Sequence, residues 1–226
     1  MTAQQKQEFY AYLSQFITEN KRQKFEEVLQ NRTRFITVVL EDIFQPHNAS
    51  AVLRSCDSFG IQDVHIIENE NTYELNPDVE VGSAKWLTLK KYNHKESNTL
   101  DCMQHLKSQG YKIIATSPRK NDCSLHELKL DGKIALMFGK EKEGLSETAL
   151  QNADGFMKIP MYGFVESLNI SVSAAISLQH LSRQLRLSKL NWQLTEEEKL
   201  DLRLTWAKKV LGKANLYENE FLCKLK

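Results

Sequence analysis

Apolar residues near the start of the chain recur at helical spacing. Phe9, Tyr12, Leu13, Phe16 and Ile17 follow the i, i+3, i+4, i+7, i+8 rule of one helix face. A second short helix is predicted over 21–30, with Asn20 as its N-cap. The period then changes. Phe35-Ile36-Thr37-Val38-Val39-Leu40 is a β-branched apolar run of the kind a buried parallel strand requires. Residues 48–58 read as a helix stopped at Gly60, and Val64-His65-Ile66-Ile67 as the next strand. Trp86-Leu87-Thr88-Leu89 is a further strand candidate, and a helix over 98–108 ends near Gly110. Strands are predicted at 112–116, at 134–138 and, shorter, near 156–159, before a long helix over 169–187. Thr195-Glu196-Glu197-Glu198 spells a capping box that opens a helix to about Leu211, which Gly212 stops. A last short helix covers 214–223.

Strand and helix alternate through the middle of the chain, which predicts an α/β fold: a mostly parallel sheet flanked by helices. The organisation expected is a helical N-terminal extension over 1–33, an α/β core over 34–187 and a helical C-terminal extension over 188–226, without internal repeats.

Composition narrows the class. With 226 residues, 41% hydrophobic and 26% charged, the chain can bury one sizeable core, and wholesale disorder is excluded. No run approaches the length of a transmembrane helix, so no membrane partner is expected. The N-terminus lacks the apolar stretch of a signal peptide, so the protein is read as cytoplasmic. Cys56, Cys102, Cys123 and Cys223 form no C-x-x-C pair, so neither a metal site nor a disulfide framework is expected. Residues 1–34 carry 6 Lys/Arg against 4 Asp/Glu and residues 183–226 carry 10 against 6, while 35–182 carries 14 against 19. Basic ends on a mildly acidic middle suit a protein that grips a polyanion with its extensions; the same charges also serve simply to solvate exposed helices.

Candidate chemistry sits in three segments, each at the end of a predicted strand, where open α/β sheets bind ligands. In Pro46-His47-Asn48-Ala49-Ser50-Ala51-Val52-Leu53-Arg54, Asn48 stands where a helix would start, and Arg54 offers a bidentate fork for phosphate oxygens. An N-cap Asn and a surface Arg would look the same. In Phe138-Gly139-Lys140-Glu141-Lys142-Glu143-Gly144-Leu145-Ser146, two glycines let the backbone turn sharply and approach a ligand. It is not a P-loop, since Leu145 rather than Lys follows the second glycine, and G-x-G-x-x-G is absent from the chain. An ordinary turn capped by Ser146 is the alternative. In the third segment, Ile159 to Ala175, a strand end leads through Pro160-Met161-Tyr162-Gly163-Phe164-Val165-Glu166 to Ser167, Asn169 and Ser171 around a helix N-terminus. That arrangement suits a polar or anionic ligand, or a helix cap with tight packing behind it.

Taken in order, the segments read N-x-x-A-x-x-R, F-G-x-E-x-x-G-L-S and I-P-M-x-G-x-x-x-S-L-N-I-S-V, with Val81-Gly82-Ser83-Ala84-Lys85-Trp86-Leu87 between the first two. This set resembles the motifs of the SPOUT superfamily of S-adenosylmethionine-dependent RNA methyltransferases, and within it the TrmH-type ribose 2′-O-methyltransferases. The likeness covers about 34–187. It implies a deep trefoil knot formed by about 134–185 and a homodimer with shared active sites. It also implies catalytic roles for Asn48, Arg54, Glu141, Ser167 and Asn169. Thr116, Gly139, Ile159, Met161 and Leu168 match positions that bind the cofactor, S-adenosyl-L-methionine, several of them through backbone groups. The short helical extensions are similar to those of members that act on tRNA. They imply methylation of the D-loop guanosine at position 18, with 23S rRNA as the alternative substrate and a non-catalytic RNA-binding factor as another alternative. Lys21, Arg22, Lys24, Arg32, Arg34, Lys208, Lys209 and Lys213 are the candidate RNA contacts, with Trp206 as a stacking or core residue.

Overall fold

The computed structural model describes residues 1–43, 45–71, 82–117, 123–212 and 214–224. Val81 and Lys213, both named above, lie outside the described residues. By contact the chain divides into two compact units, Thr33–Trp192 and a second made of both ends, Met1–Arg32 with Gln193–Lys226.

The larger unit holds β1 (Ile36–Glu41), α3 (Pro46–Ser58), β2 (Asp63–Ile67), a 3-10 turn (Ser83–Trp86), β3 (Thr88–Tyr92), α4 (Asn98–Ser108), β4 (Lys112–Thr116), β5 (Ile134–Phe138), α5 (Glu147–Asn152), β6 (Gly155–Met157) and α6 (Ile170–Leu187). The six strands form one sheet in the order β3-β2-β1-β5-β4-β6, with every neighbouring pair parallel. Both faces are covered, which is why β1 and β5 are apolar at consecutive positions. Ile36, Val38 and Leu40 of β1, with Ile134, Leu136 and Phe138 of β5, pack in one cluster with Val52, Leu53 and Cys56 of α3 and Ala174, Leu178 and Leu181 of α6. The alternate residues Val39, Ala135 and Met137 pack on the other face with Cys102, Met103 and Leu106 of α4. The expected α/β sheet is therefore present.

Two local expectations shift, and the cap at Ser146 is present. The third strand starts at Thr88, in register with Asp63 where β2 begins, and Trp86 closes the 3-10 turn before it. Ser146 opens a real helix, accepting a hydrogen bond from the Ala149 N–H at 3.1 Å. Thr18, not Asn20, stands at the N-cap of the helix Glu19–Leu29.

The smaller unit contains α1 (Ala3–Ser14), α2 (Glu19–Leu29), α7 (Glu196–Leu211) and α8 (Ala214–Lys224). Both predicted ends of α7 are present: Thr195 forms the capping box with Glu198, and Gly212 takes the left-handed conformation at φ 69°. The extensions pack on each other. Arg203 of α7 forms a bidentate pair with Glu26 of α2 at 2.6–2.7 Å, Phe25 meets Trp206 edge-on, and Phe9 of α1 packs against Phe221 of α8. Neither extension has enough apolar surface to form a core alone, so each supplies half of one.

One buried histidine predicts a pH response. His65 of β2 is 1% exposed, and the Tyr92 hydroxyl of β3 lies 3.0 Å from its Nδ1. Burial, reinforced by Lys90 and His105, lowers the imidazole pKa to about 3, and burial raises that of Tyr92. The unfolded chain takes up this proton near pH 6.5. Stability is therefore lost as pH falls from there toward 3, by up to about 1.4 kcal/mol per pH unit. Denaturant titrations of His65→Gln, which keeps an acceptor for Tyr92, should show a shallower loss between about pH 6 and 4. An unchanged slope would refute the assignment.

Candidate active site

The three segments converge. β1 and β5 are neighbours and parallel, so the loops at their carboxyl ends start side by side. The first loop runs into α3, where Pro46 occupies the first turn and pre-sets its φ. Gln45 stands at the N-cap, and its carbonyl accepts from the N–H groups of Asn48 at 3.1 Å and Ala49 at 3.3 Å. The second loop is a tight hairpin. Lys140 and Gly144 exchange two backbone hydrogen bonds of 2.9 Å, and Gly144 sits at φ 77°. The hairpin folds back so closely that a Cβ on Gly139 would lie 2.3 Å from the carbonyl carbon and oxygen of Gly144. The third loop ends at Asn169, the N-cap of α6, whose Oδ1 accepts from the Ser171 N–H at 2.8 Å and the Ser171 hydroxyl at 2.6 Å.

At the meeting point, Glu141 Oε1 accepts from the amide groups of both asparagines, Asn48 through Nδ2 and Asn169 through Nδ2 at 3.0 Å. Asn169 Nδ2 also donates to Asn48 Oδ1 at 3.1 Å, which closes the ring. The remaining Asn48 contact is to Gln45 Oε1 at 3.0 Å. Asn48 is buried, while Glu141 and Asn169 face solvent. The hairpin is anchored on both sides of this carboxylate. Lys140 pairs with Glu70 and with Glu143, the latter at 3.1 Å, and these partners hold its ammonium pKa well above the usual lysine value. The buried Glu41 accepts from the Ser146 N–H at 2.9 Å and from the Ser146 and Thr99 hydroxyls, both at 2.7 Å. A cavity of about 380 Å³ borders this hairpin, lined among others by Glu41, Asp42, Glu70 and Lys140. Its buried acids, Glu41 and Asp42, already accept hydrogen bonds from their neighbours.

Of the five residues expected to be catalytic, Asn48, Glu141 and Asn169 are brought together. Arg54 is exposed on α3, with no hydrogen bond or ion pair among the described residues, and Ser167 is exposed in the loop before α6. Of the five expected at the cofactor, Thr116, Gly139 and Ile159 follow or end the adjacent parallel strands β4, β5 and β6. The Thr116 hydroxyl donates to the Met137 carbonyl at 2.8 Å, tying β4 to β5. Met161 and Leu168 are half-buried in the third loop. Gln45 and Glu41 escaped the sequence reading. The one available signal was that Gln45 immediately precedes the Pro46 that starts a helix.

The basic residues fare differently. Arg22 pairs with Glu19, Lys24 with Glu27 at 3.0 Å, Lys208 with Glu218 at 2.7 Å, and Arg34 with Asp63 at 3.1 Å. Arg32 is 1% exposed and stacks on Trp206, itself 2% exposed, at 5.7 Å. Both are core residues, which removes them from the candidate RNA contacts. Lys21 and Lys209 remain exposed.

Residues 35–179 match the SpoU rRNA Methylase family. The chain is 45% identical over 207 residues, 92% of its length and 93% of the relative's, to the tRNA (guanosine(18)-2'-O)-methyltransferase of Borreliella burgdorferi. It superposes on the A. aeolicus TrmH/SpoU tRNA modifying enzyme with a TM-score of 0.76 at 28% identity, covering 85% of this chain and 98% of that one. The SpoU methyltransferase AviRb from Streptomyces viridochromogenes, solved in complex with AdoMet, shares the fold at TM-score 0.59 and 20% identity, over 72% of this chain and 62% of that one. The fold and the three-loop site define an RNA-methylase class of α/β protein. This chain belongs to the SpoU methylase family.

Gly139 offers a direct test of the hairpin. Gly139→Ala places its Cβ inside the Gly144 backbone, so the loop must open. The variant should keep its sheet but lose the site geometry, seen as loss of methyl transfer by more than about tenfold with far-UV circular dichroism unchanged. Full activity would refute the contact.

Proposed function

We propose that this protein transfers a methyl group from S-adenosyl-L-methionine to the 2′-hydroxyl of the D-loop guanosine at position 18 of tRNA, acting in the cytoplasm. The observation that carries the reading is the Asn48–Glu141–Asn169 ring, which joins all three motif loops at one point, in a chain 45% identical to a tRNA (guanosine(18)-2'-O)-methyltransferase over 92% of its length.

The residues expected at the cofactor fit that group. Backbone N–H and C=O groups at the ends of three adjacent parallel strands supply hydrogen bonds for a heteroaromatic edge, and half-buried Ile159, Met161 and Leu168 supply apolar surface for its faces. When bound, the sulfonium supplies an electrophilic methyl for in-line displacement.

The chain's own residues prepare the nucleophile. A ribose hydroxyl attacks poorly until its proton is shared or removed. Arg54 as the base would have to lose its own proton, which costs about 9 kcal/mol at pH 7. Its exposed guanidinium instead grips the phosphate next to the ribose in a bidentate fork, and the hydroxyl proton leaves to that phosphate or to water. Asn48, Glu141 and Asn169 hold the three loops in one geometry, and Ser167, just before α6, contacts the ribose. Positioning then supplies much of the rate.

The working unit in this reading is a homodimer. Val172 and Ile176, one turn apart on α6, are exposed, as are Tyr162, Phe164 and Val165 in the loop before it, with Tyr162 at 96%. A second copy would cover this apolar surface beside the site.

Two measurements test these assignments. Labelled S-adenosylmethionine, given with bulk tRNA and separately with rRNA, should mark the D-loop guanosine of tRNA, and Arg54→Ala should keep cofactor binding while losing most turnover, by about a hundredfold or more. Label on rRNA alone would overturn the substrate, and a fully active Arg54→Ala would overturn the role. Sedimentation should give twice the chain mass, and Ile176→Asp should shift it toward monomer. A monomeric wild type would remove the dimer from the reading.

A further inference from the structure

Asn48 is held by Gln45 from two directions. The Gln45 carbonyl accepts from the Asn48 N–H at 3.1 Å and fixes its backbone at the start of α3. The Gln45 side chain independently accepts from Asn48 Nδ2 at 3.0 Å. An amide NH2 group has two hydrogens. In this site one goes to Glu141 Oε1 and the other to Gln45 Oε1.

The consequence concerns orientation. Were the Asn48 amide turned over, its oxygen would face Glu141 Oε1, and its NH2 would face the NH2 of Asn169. Asn169 cannot turn to compensate, because its Oδ1 is committed to the Ser171 N–H and hydroxyl. Gln45 carries an amide that can turn over with its neighbour, so Glu141 and Asn169 set the polarity, and what Gln45 adds is a second acceptor that ties the Asn48 amide to the start of its own helix. Without Gln45, the Asn48 amide keeps Glu141 as its one acceptor and Asn169 as its donor, both on exposed segments other than α3.

We infer that Gln45 is a positioning residue for the methyl-transfer site, acting through Asn48 to hold its amide in place against the carboxylate of the ring. The inference rests on the proposed function for its kinetic consequence and on geometry alone for its structural one. Gln45 lies outside all three motifs. Its own side chain is exposed and makes no N-cap bond to α3, so its role separates cleanly from the stability of the helix.

The experiment compares two variants of nearly equal size in the full-length protein. Gln45→Met keeps the length of the side chain and removes the strong acceptor, while Gln45→Glu keeps an acceptor at the same place. Gln45→Met should lower kcat on tRNA by about tenfold, the loss expected for one oriented hydrogen bond. The Kd for S-adenosylmethionine and the thermal midpoint should stay at wild-type values, and Gln45→Glu should recover kcat to within about threefold. Wild-type kcat in Gln45→Met, equal losses in both variants, or a loss that follows cofactor affinity or the midpoint would each overturn the inference. A second readout is independent of activity. In side-chain amide NMR, the Asn48 NH2 hydrogens should exchange faster with solvent in Gln45→Met than in wild type and return in Gln45→Glu. Unchanged exchange overturns the inference even if the protein methylates no RNA offered. Altered exchange in a protein inactive on tRNA would uphold the positioning and overturn the substrate.

Discussion

A single carboxylate oxygen holds the site together. Glu141 Oε1 accepts from amides on two other loops, and those amides bond each other. Each loop leaves the sheet from a different strand, so nothing in the local backbone brings them to one place. Amide donors on a carboxylate oxygen give charge-assisted bonds stronger than neutral ones, and they have strict polarity: oxygen must meet N–H. The ring therefore fixes which way each amide points, and that polarity propagates outward to Gln45 at one end and Ser171 at the other.

The rest of the core serves to present these loops. A parallel sheet puts the carboxyl ends of β1, β5, β4 and β6 on one edge in that order. The cluster built by α3 and α6 lies against one face and aligns the N-termini of both helices with that edge. Gly139 allows the second loop to fold back on itself, and buried Glu41 fastens the far end of that loop to β1 through Ser146. The buried carboxylate is satisfied by three donors, as burial demands.

At the two ends of the chain, geometry adds partners that a charge count does not contain. Their excess of Lys and Arg suits a grip on a polyanion and equally suits solvated helices, and in the structure Lys6, Arg22, Lys24, Lys208 and Arg203 each face an acid within the same unit. Exposed pairs such as Arg22–Glu19 and Lys24–Glu27 contribute little stability and leave the unit's net charge unchanged. Arg32 and Trp206 went further and became core, where the cation covers the indole face.

The strand and helix pattern, the caps of α7 and the three chemical segments were legible from residue order, because each depends on neighbours within one turn or one strand. Helix 98–108 and strands 112–116 and 134–138 appear with the predicted bounds. What residue order could not settle was partnership across the chain. Thr116 stood out only by resemblance, and its hydroxyl donates to the Met137 carbonyl of the neighbouring strand. Gln45 carried no motif, and it became a contact of Asn48 because α3 begins where it does. The two extensions are separated by the whole core in sequence and form one unit by pairing Arg203 with Glu26 and Phe25 with Trp206. Local propensity and periodicity act over a few residues, so they specify elements. Hydrogen-bond polarity, ion pairing and burial act over a few ångströms between residues far apart in the chain, so only the folded structure decides them.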